Sequence, residues 1–172
     1  GVFETATIGN LVIDSAVEKM PNYLSYNVIL KLQDFTINVP DIGYYSFAGK
    51  NIAFEKLIIG EAVRTFRMND KGYNRAFNAN VIDLLCYNAT QGQMETLSSS
   101  VYGPFSYETQ INGLIVGEHV KVLPYGCFRE AKIELTELNL NNVAIGYGAF
   151  CGSNIHIGTL NIGNNVSYDG VV

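Results

Sequence analysis

The chain has no tryptophan, two histidines and three cysteines among its 172 residues. Neither His119 nor His156 has a His, Cys or Asp neighbour at metal-ligand spacing, so no zinc site and no Cys–His nucleophile pair are expected. Three cysteines cannot all pair with one another, which argues against a disulfide framework. Basic residues are few: 11 Lys and Arg stand against 16 Asp and Glu, for a formal charge of -5. With no basic run and no aromatic-basic interleaving, the footprint of a nucleic-acid binder is missing. No apolar run approaches about 18 residues, so no membrane span is expected. A signal-peptide pattern is missing too, and Gly1 reads as a processing scar. Gly49-Lys50-Asn51 is no phosphate loop, because Tyr44 stands where the first glycine belongs and Asn51 where a hydroxyl residue belongs. No cofactor is expected.

What the chain does have is repetition. Ile42 to Val63 and Ile145 to Val166 align without a gap and match at 11 of 22 positions. An L-x-I/L pattern recurs, with its first apolar residue at Leu11, Phe35, Leu57, Leu84, Leu114, Leu138 and Leu160, in steps of 24, 22, 27, 30, 24 and 22 residues. A buried aromatic is expected near position +12, as in Phe35 to Phe47 and Leu138 to Phe150. Periods of about 20–29 residues are those of leucine-rich repeats.

One unit shows the physics. Leu138 and Leu140 are two residues apart and point to one face of a strand, while Asn139 points away. Asn141 and Asn142 suit a turn. Tyr147 to Phe150 reads as a short helical or 3₁₀ turn that buries Phe150, and Gly152 permits the bend back. Such a unit has one buried face and is stable only when stacked. The expected fold is therefore a single leucine-rich-repeat solenoid over residues 1–172, α/β to mostly β, with about seven repeats. A parallel strand ladder forms one face; short helical, 3₁₀ or irregular segments form the other. The sequence shows no polar C-terminal cap, which suits a fragment of a longer array or a dimer covering that edge.

Two units are stretched, with surplus chain at 67–75 and 91–100. Solenoid insertions map to loops and often carry binding, although lengthening a surface loop costs only about 0.6 kcal/mol per doubling. Tyr73, Tyr102 and Tyr107 lie in or beside these insertions and are candidate contact residues. On the ladder, the register places Ile58, Leu85 and Ile115 outward on three successive rungs, a candidate apolar contact stripe. Asp34, Lys56 and Asp83 alternate in sign on the neighbouring column. With strands about 4.8 Å apart, the two carboxylates stand about 10 Å apart around an ammonium. That spacing approaches an inverting glycosidase pair, but the lysine neutralises it and an open sheet excludes no water, so a solvated charge ladder is the better reading. Cys86, Cys127 and Cys151 read as small buried hydrophobes.

The segments Ile145-Gly146-x-x-Ala149-Phe150 with Asn154, then Leu160, Ile162 and Val166, resemble the BspA-like leucine-rich repeats. Ile42, Gly43, Phe47, Asn51, Leu57, Ile59 and Val63 repeat the match. That family occurs on bacterial surfaces, notably in Bacteroidetes, and in some parasitic protists; several members are adhesins. The resemblance implies an extracellular or cell-surface location and a non-catalytic scaffold that binds a protein or glycan ligand. Two other readings compete. One is a structural spacer that self-associates as a homo-oligomer through the apolar stripe or an end strand. The other is an enzyme on a parallel β-helix, for which the 17-residue step from Ile145 to Ile162, no multiple of six, is unsuitable.

Overall fold

A computed structural model describes residues 6–26, 28–90, 93–94 and 102–169. The chain is a parallel β-solenoid of about seven turns, and among the described residues there is no helix, hence none long and apolar enough to cross a membrane. The strands are β1 (Thr7–Ile8), β2 (Lys19–Met20), β3 (Ile29–Ile37), β4 (Asp41–Ile42), β5 (Ile52–Ile59), β6 (Thr65–Phe66), β7 (Val81–Tyr87), β8 (Gln93–Met94), β9 (Gln110–Ile111), β10 (Leu114–Val116), β11 (Val122–Leu123), β12 (Lys132–Leu140), β13 (Ala144–Gly146), β14 (Ile155–Ile162) and β15 (Ser167–Asp169). The main sheet runs β1-β3-β5-β7-β9-β12-β14, with β10 also on β7. Short strands stack into two further ladders, β2-β4-β6-β8 and β11-β13-β15. All of the pairing is parallel.

The long strands alternate, inward apolar and outward polar, with one break. In β3 and β12 two successive residues face out, Gln33–Asp34 and Thr136–Glu137. The ladder skips one pair there, since Leu32 pairs Phe54 and the next partners are Asp34 and Lys56. This local break in the pleat lets the strand bend around the core. It also corrects the register. Leu57 pairs Leu85, not Leu84, and Leu114 pairs Leu85. The bend in β7 uses up Asp83 and Leu84, so the second of the two adjacent leucines turns inward. Because side chains alternate, this one-residue slip exchanges the faces of the following residues. At the N-terminal end, Leu11 lies outside any strand, half-buried against the core, and Thr7–Ile8 forms the first rung.

Opposite the bend, the turns stack through their own backbone. Phe47 N–H donates to Ala76 O, Phe77 N–H to Pro104 O, Phe105 N–H to Cys127 O and Phe128 N–H to Ala149 O, at 2.7–3.0 Å. Left-handed residues bracket the aromatic: Tyr45, Arg75 and Gly126 two before it, Ala79, Tyr107 and Glu130 two after it. Tyr147–Phe150 is a turn and not a helix: Ala149 N–H donates to Gly146 O and Cys151 N–H to Gly148 O within the coil, while the Tyr147, Ala149 and Cys151 carbonyls accept from Gly126, Phe128 and Glu130 N–H of the preceding coil. The rings follow the backbone. Phe47, Phe77, Phe105, Phe128 and Phe150 form one stack with successive centroids 5.6, 4.7, 5.7 and 5.1 Å apart. Buried polar side chains tie the same turns together: Asn80 Nδ2 donates to Phe47 O and Gly49 O, and Thr109 Oγ1 donates to Phe77 O.

Where the strands end, another column alternates strictly: Asn38, Gly60, Asn88, Gly117, Asn141, Gly163. Gly60 N–H donates to Ile37 O, Asn88 N–H to Ile59 O and Gly117 N–H to Tyr87 O, so these residues are stacked neighbours. Each asparagine side chain leans over the glycine of the next coil. A Cβ at Gly60, Gly117 or Gly163 would collide with the Oδ1 of Asn38, Asn88 or Asn141.

Two stability outcomes follow from the interior. Phe105 is fully buried between two rings while Phe150, at the end of the stack, is half-buried. Phe105→Ala should cost about 3–5 kcal/mol and Phe150→Ala less than half of that, read as urea midpoints at unchanged slope. Tyr87 is the second case. Its hydroxyl is buried with no hydrogen-bond partner among the described residues, and burial pushes its pKa well above the ordinary tyrosine value. Tyr87→Phe should raise stability by about 1 kcal/mol. Because the folded chain holds this proton more tightly than the unfolded chain, wild-type stability should fall more steeply than that of the variant once the pH passes about 10.

Candidate functional site

The structure sorts the expected contact residues into two groups. On the main sheet, Ile115 is 53% exposed and Ile58 half-buried and outward, but Leu85 is fully buried in the core. The residue between Ile58 and Ile115 is Cys86, half-buried on the outer face, so the stripe is Ile58–Cys86–Ile115 and Cys86 is not a core residue. Lys56 lies between Asp34 and Leu84, which breaks the expected alternation of charges. Asp83 stands at the bend instead, where its Oδ1 accepts from Asn112 Nδ2 at 2.8 Å. Cys127 is buried, and burial pushes its thiol pKa well up; Cys151 is exposed. Part of the surplus chain at 91–100 lies outside the described residues.

The turn edge is different, because there the three expected tyrosines meet. The 67–75 insertion is shaped by Asn69, whose Oδ1 accepts from the backbone of Lys71 and Tyr73 at 3.0 Å. Arg67 anchors its start, with Nε 2.8 Å from Asp41 Oδ1 and Nη2 donating to Met20 O. The insertion ends on buried Asn74, which donates to Arg67 O at 2.6 Å and accepts from Ala76 N–H at 3.0 Å. These bonds deliver Tyr73 and Arg75 to the surface. The Arg75 guanidinium lies over the rings of Tyr73, Tyr102 and Tyr107, at 4.4, 4.3 and 4.6 Å from their centroids. Arg129 lies 5.1 Å from the Tyr102 ring. Each such contact is worth about 0.5–2 kcal/mol, so the cluster is held in place before any ligand arrives.

Four more tyrosines continue this surface toward the N-terminal coils. Tyr23 stacks on Tyr45 at 5.4 Å and meets Tyr26 and Tyr44 edge-on at 5.5 and 5.3 Å. Arg75 Nη1 donates to the Tyr45 hydroxyl at 3.4 Å, joining the two clusters. Partial burial, then the neighbouring Tyr44, Tyr45, Tyr26 and Asp70, raise the pKa of Tyr23 above the ordinary tyrosine value. Between the clusters is an open cleft of about 620 Å³, lined by tyrosines 23, 26, 44, 45 and 73, by Arg75, and by Asn69, Asp70, Lys71 and Asn78. A smaller cleft of about 360 Å³ adjoins it, sharing Tyr26 and Asn78 and reaching Lys50, Tyr107 and Glu108.

Reading the insertions finds Tyr73, Tyr102 and Tyr107 but misses Tyr23, Tyr26, Tyr44, Tyr45 and Arg75. The signal for them is positional. Tyr23, Tyr45 and Arg75 share the left-handed position of three successive turns, so an alignment by turn superposes them.

Chemically, the cleft offers flat rings, hydroxyls, two amides, a carboxylate and cations. Among the described residues no three His, Cys, Asp or Glu side chains are grouped to hold a metal ion. His119 is exposed beside Glu118 at 3.6 Å, and His156 lines an open groove with Glu134 on the outer sheet face. A scan against models of protein families, a search of curated proteins and a search of solved structures each found no match to this chain.

The pinned guanidinium is open to test. Arg75→Ala should release Tyr73, Tyr102 and Tyr107 and lower stability by about 1–2 kcal/mol, and Arg75→Lys should recover only part, because an ammonium cannot lie flat on three rings. Thermal unfolding followed by tyrosine circular dichroism measures both.

Proposed function

We propose that the chain is a non-catalytic recognition module that engages a glycan or protein through its tyrosine-lined turn edge. The observation that carries this reading is the gathering of seven of the eleven tyrosines, from separate coils, around one arginine and one open cleft. Tyrosine rings accept the apolar face of a sugar or an apolar side chain, and their hydroxyls bond polar groups. Asn69, Asp70 and Asn78 beside them suit sugar hydroxyls. The 22-residue steps from Phe35 to Leu57 and from Leu138 to Leu160, with the I-G-x-x-A-F motif at Ile145–Phe150, support a leucine-rich repeat of the BspA-like type, and with it adhesion at a cell surface, as the finer form of the proposal. The spacer reading attaches to the outer-face stripe or to an end strand rather than to the cleft.

The experiment is an array of immobilised glycans and matrix proteins, followed by titration calorimetry on any ligand found. Tyr26→Ala and Tyr44→Ala should each weaken binding by about tenfold or more, as loss of aromatic anchors does. Ile58→Glu and Ile115→Glu, on the outer sheet face, should leave it unchanged. The reverse pattern, with the sheet variants abolishing binding and the tyrosine variants silent, would overturn the proposal.

A further inference from the structure

Two arginines serve the same insertion and are satisfied very differently. Arg67 has the Asp41 carboxylate at 2.8 Å and the Met20 carbonyl as a second acceptor. Arg75 has neither. Among the described residues no carboxylate forms an ion pair with it, and its one hydrogen bond is the long 3.4 Å contact to the Tyr45 hydroxyl. Its Nε is buried with no partner. Nη2 bonds no protein group either, yet unlike Nε it is not shut off from solvent. The three tyrosine rings attract the positive charge, but they leave these N–H donors without acceptor oxygens. A guanidinium held rigidly, lining a cleft and lacking an acceptor at its outer edge is suited to a carboxylate or sulfate, which accepts two parallel N–H bonds.

The rest of the cleft narrows the ligand further. Lys71 and Arg75 stand against the single carboxylate of Asp70, a local excess of positive charge on a chain whose formal charge is -5. Asn69 spends its Oδ1 on the backbone of Lys71 and Tyr73 and keeps its Nδ2. Asn78 spends its Nδ2 on Tyr107 O and keeps its Oδ1. One free amide donor and one free acceptor, beside tyrosine hydroxyls that do both, match sugar hydroxyls, which also donate and accept. We infer, on the reading of this cleft as a recognition site, that its ligand is an acidic glycan: sugar rings lie on the tyrosines while a carboxylate or sulfate group takes the open N–H edge of Arg75.

The test is a glycan array probed with the full chain. It carries oligogalacturonates, sialylated oligosaccharides and heparin-type sulfated oligosaccharides beside their methyl-esterified or desulfated forms. Binding is expected to the acidic members, and the neutralised arms separate carboxylate from sulfate. Calorimetry on the tightest of them should give an affinity about 30-fold above that of its neutralised form, falling as sodium chloride is added. Arg75→Gln should bring that ratio close to one, and Asp70→Asn, which removes the competing carboxylate, should raise it. Loosening of the tyrosine cluster alone would weaken both forms alike and leave the ratio unmoved. Neutral glycans bound as tightly as acidic ones overturn the acidic ligand while leaving the recognition reading intact. Silence of every acidic member overturns it too, whether or not a matrix protein binds.

Discussion

The backbone of each coil is completed by its neighbours. No described segment is a helix; short bonds such as Ala149 N–H to Gly146 O close within a turn, and the strands, turns and post-strand corners otherwise donate along the solenoid axis. Everything else adapts to that constraint. Left-handed residues beside the phenylalanines, on both sides of Phe77 and Phe128, shape the turns for stacking along the axis, and the bend in the long strands lets one continuous ladder wrap the core. The phenylalanine stack results from the same stacking, since rings at one position of successive coils fall about one strand spacing apart.

Repetition made the fold legible. The match between Ile42–Val63 and Ile145–Val166 survives as stacked coils, and the aromatic position is found wherever the turn is short enough to count. The register failed at one place for a definite reason. Leu84 and Leu85 are adjacent and equally apolar, and only the bend decides which enters the core. Nothing in the composition of Asp83-Leu84 marks a bend, so simple alternation counts one residue short and turns Leu85 and Cys86 to the wrong faces. Tyr147–Phe150, expected as a short helical or 3₁₀ turn, is a turn whose bonds close over three residues and do not extend into a helix.

The tyrosine-lined surface was half legible. Tyrosines beside an insertion are visible as such, and Tyr73, Tyr102 and Tyr107 do meet. Tyr23, Tyr45 and Arg75 come together only through the stacking of turns 22 and 30 residues apart, a distance at which the linear chain shows no neighbourhood. The charge ladder of Asp34, Lys56 and Asp83 dissolved with the register, and with it any geometric basis for a carboxylate pair.

The Asn–Gly column gives the solenoid a parity. Asn38, Asn88 and Asn141 each need a glycine above them, and Gly60, Gly117 and Gly163 fill that need. Along this column the structural period is therefore two coils, not one. Removing the single coil between Asn38 and Asn88 would set asparagine on asparagine, and doubling it would leave glycine on glycine with a gap. Coils added to or removed from such an array therefore fit this column in even steps, although each turn on its own looks interchangeable with the next.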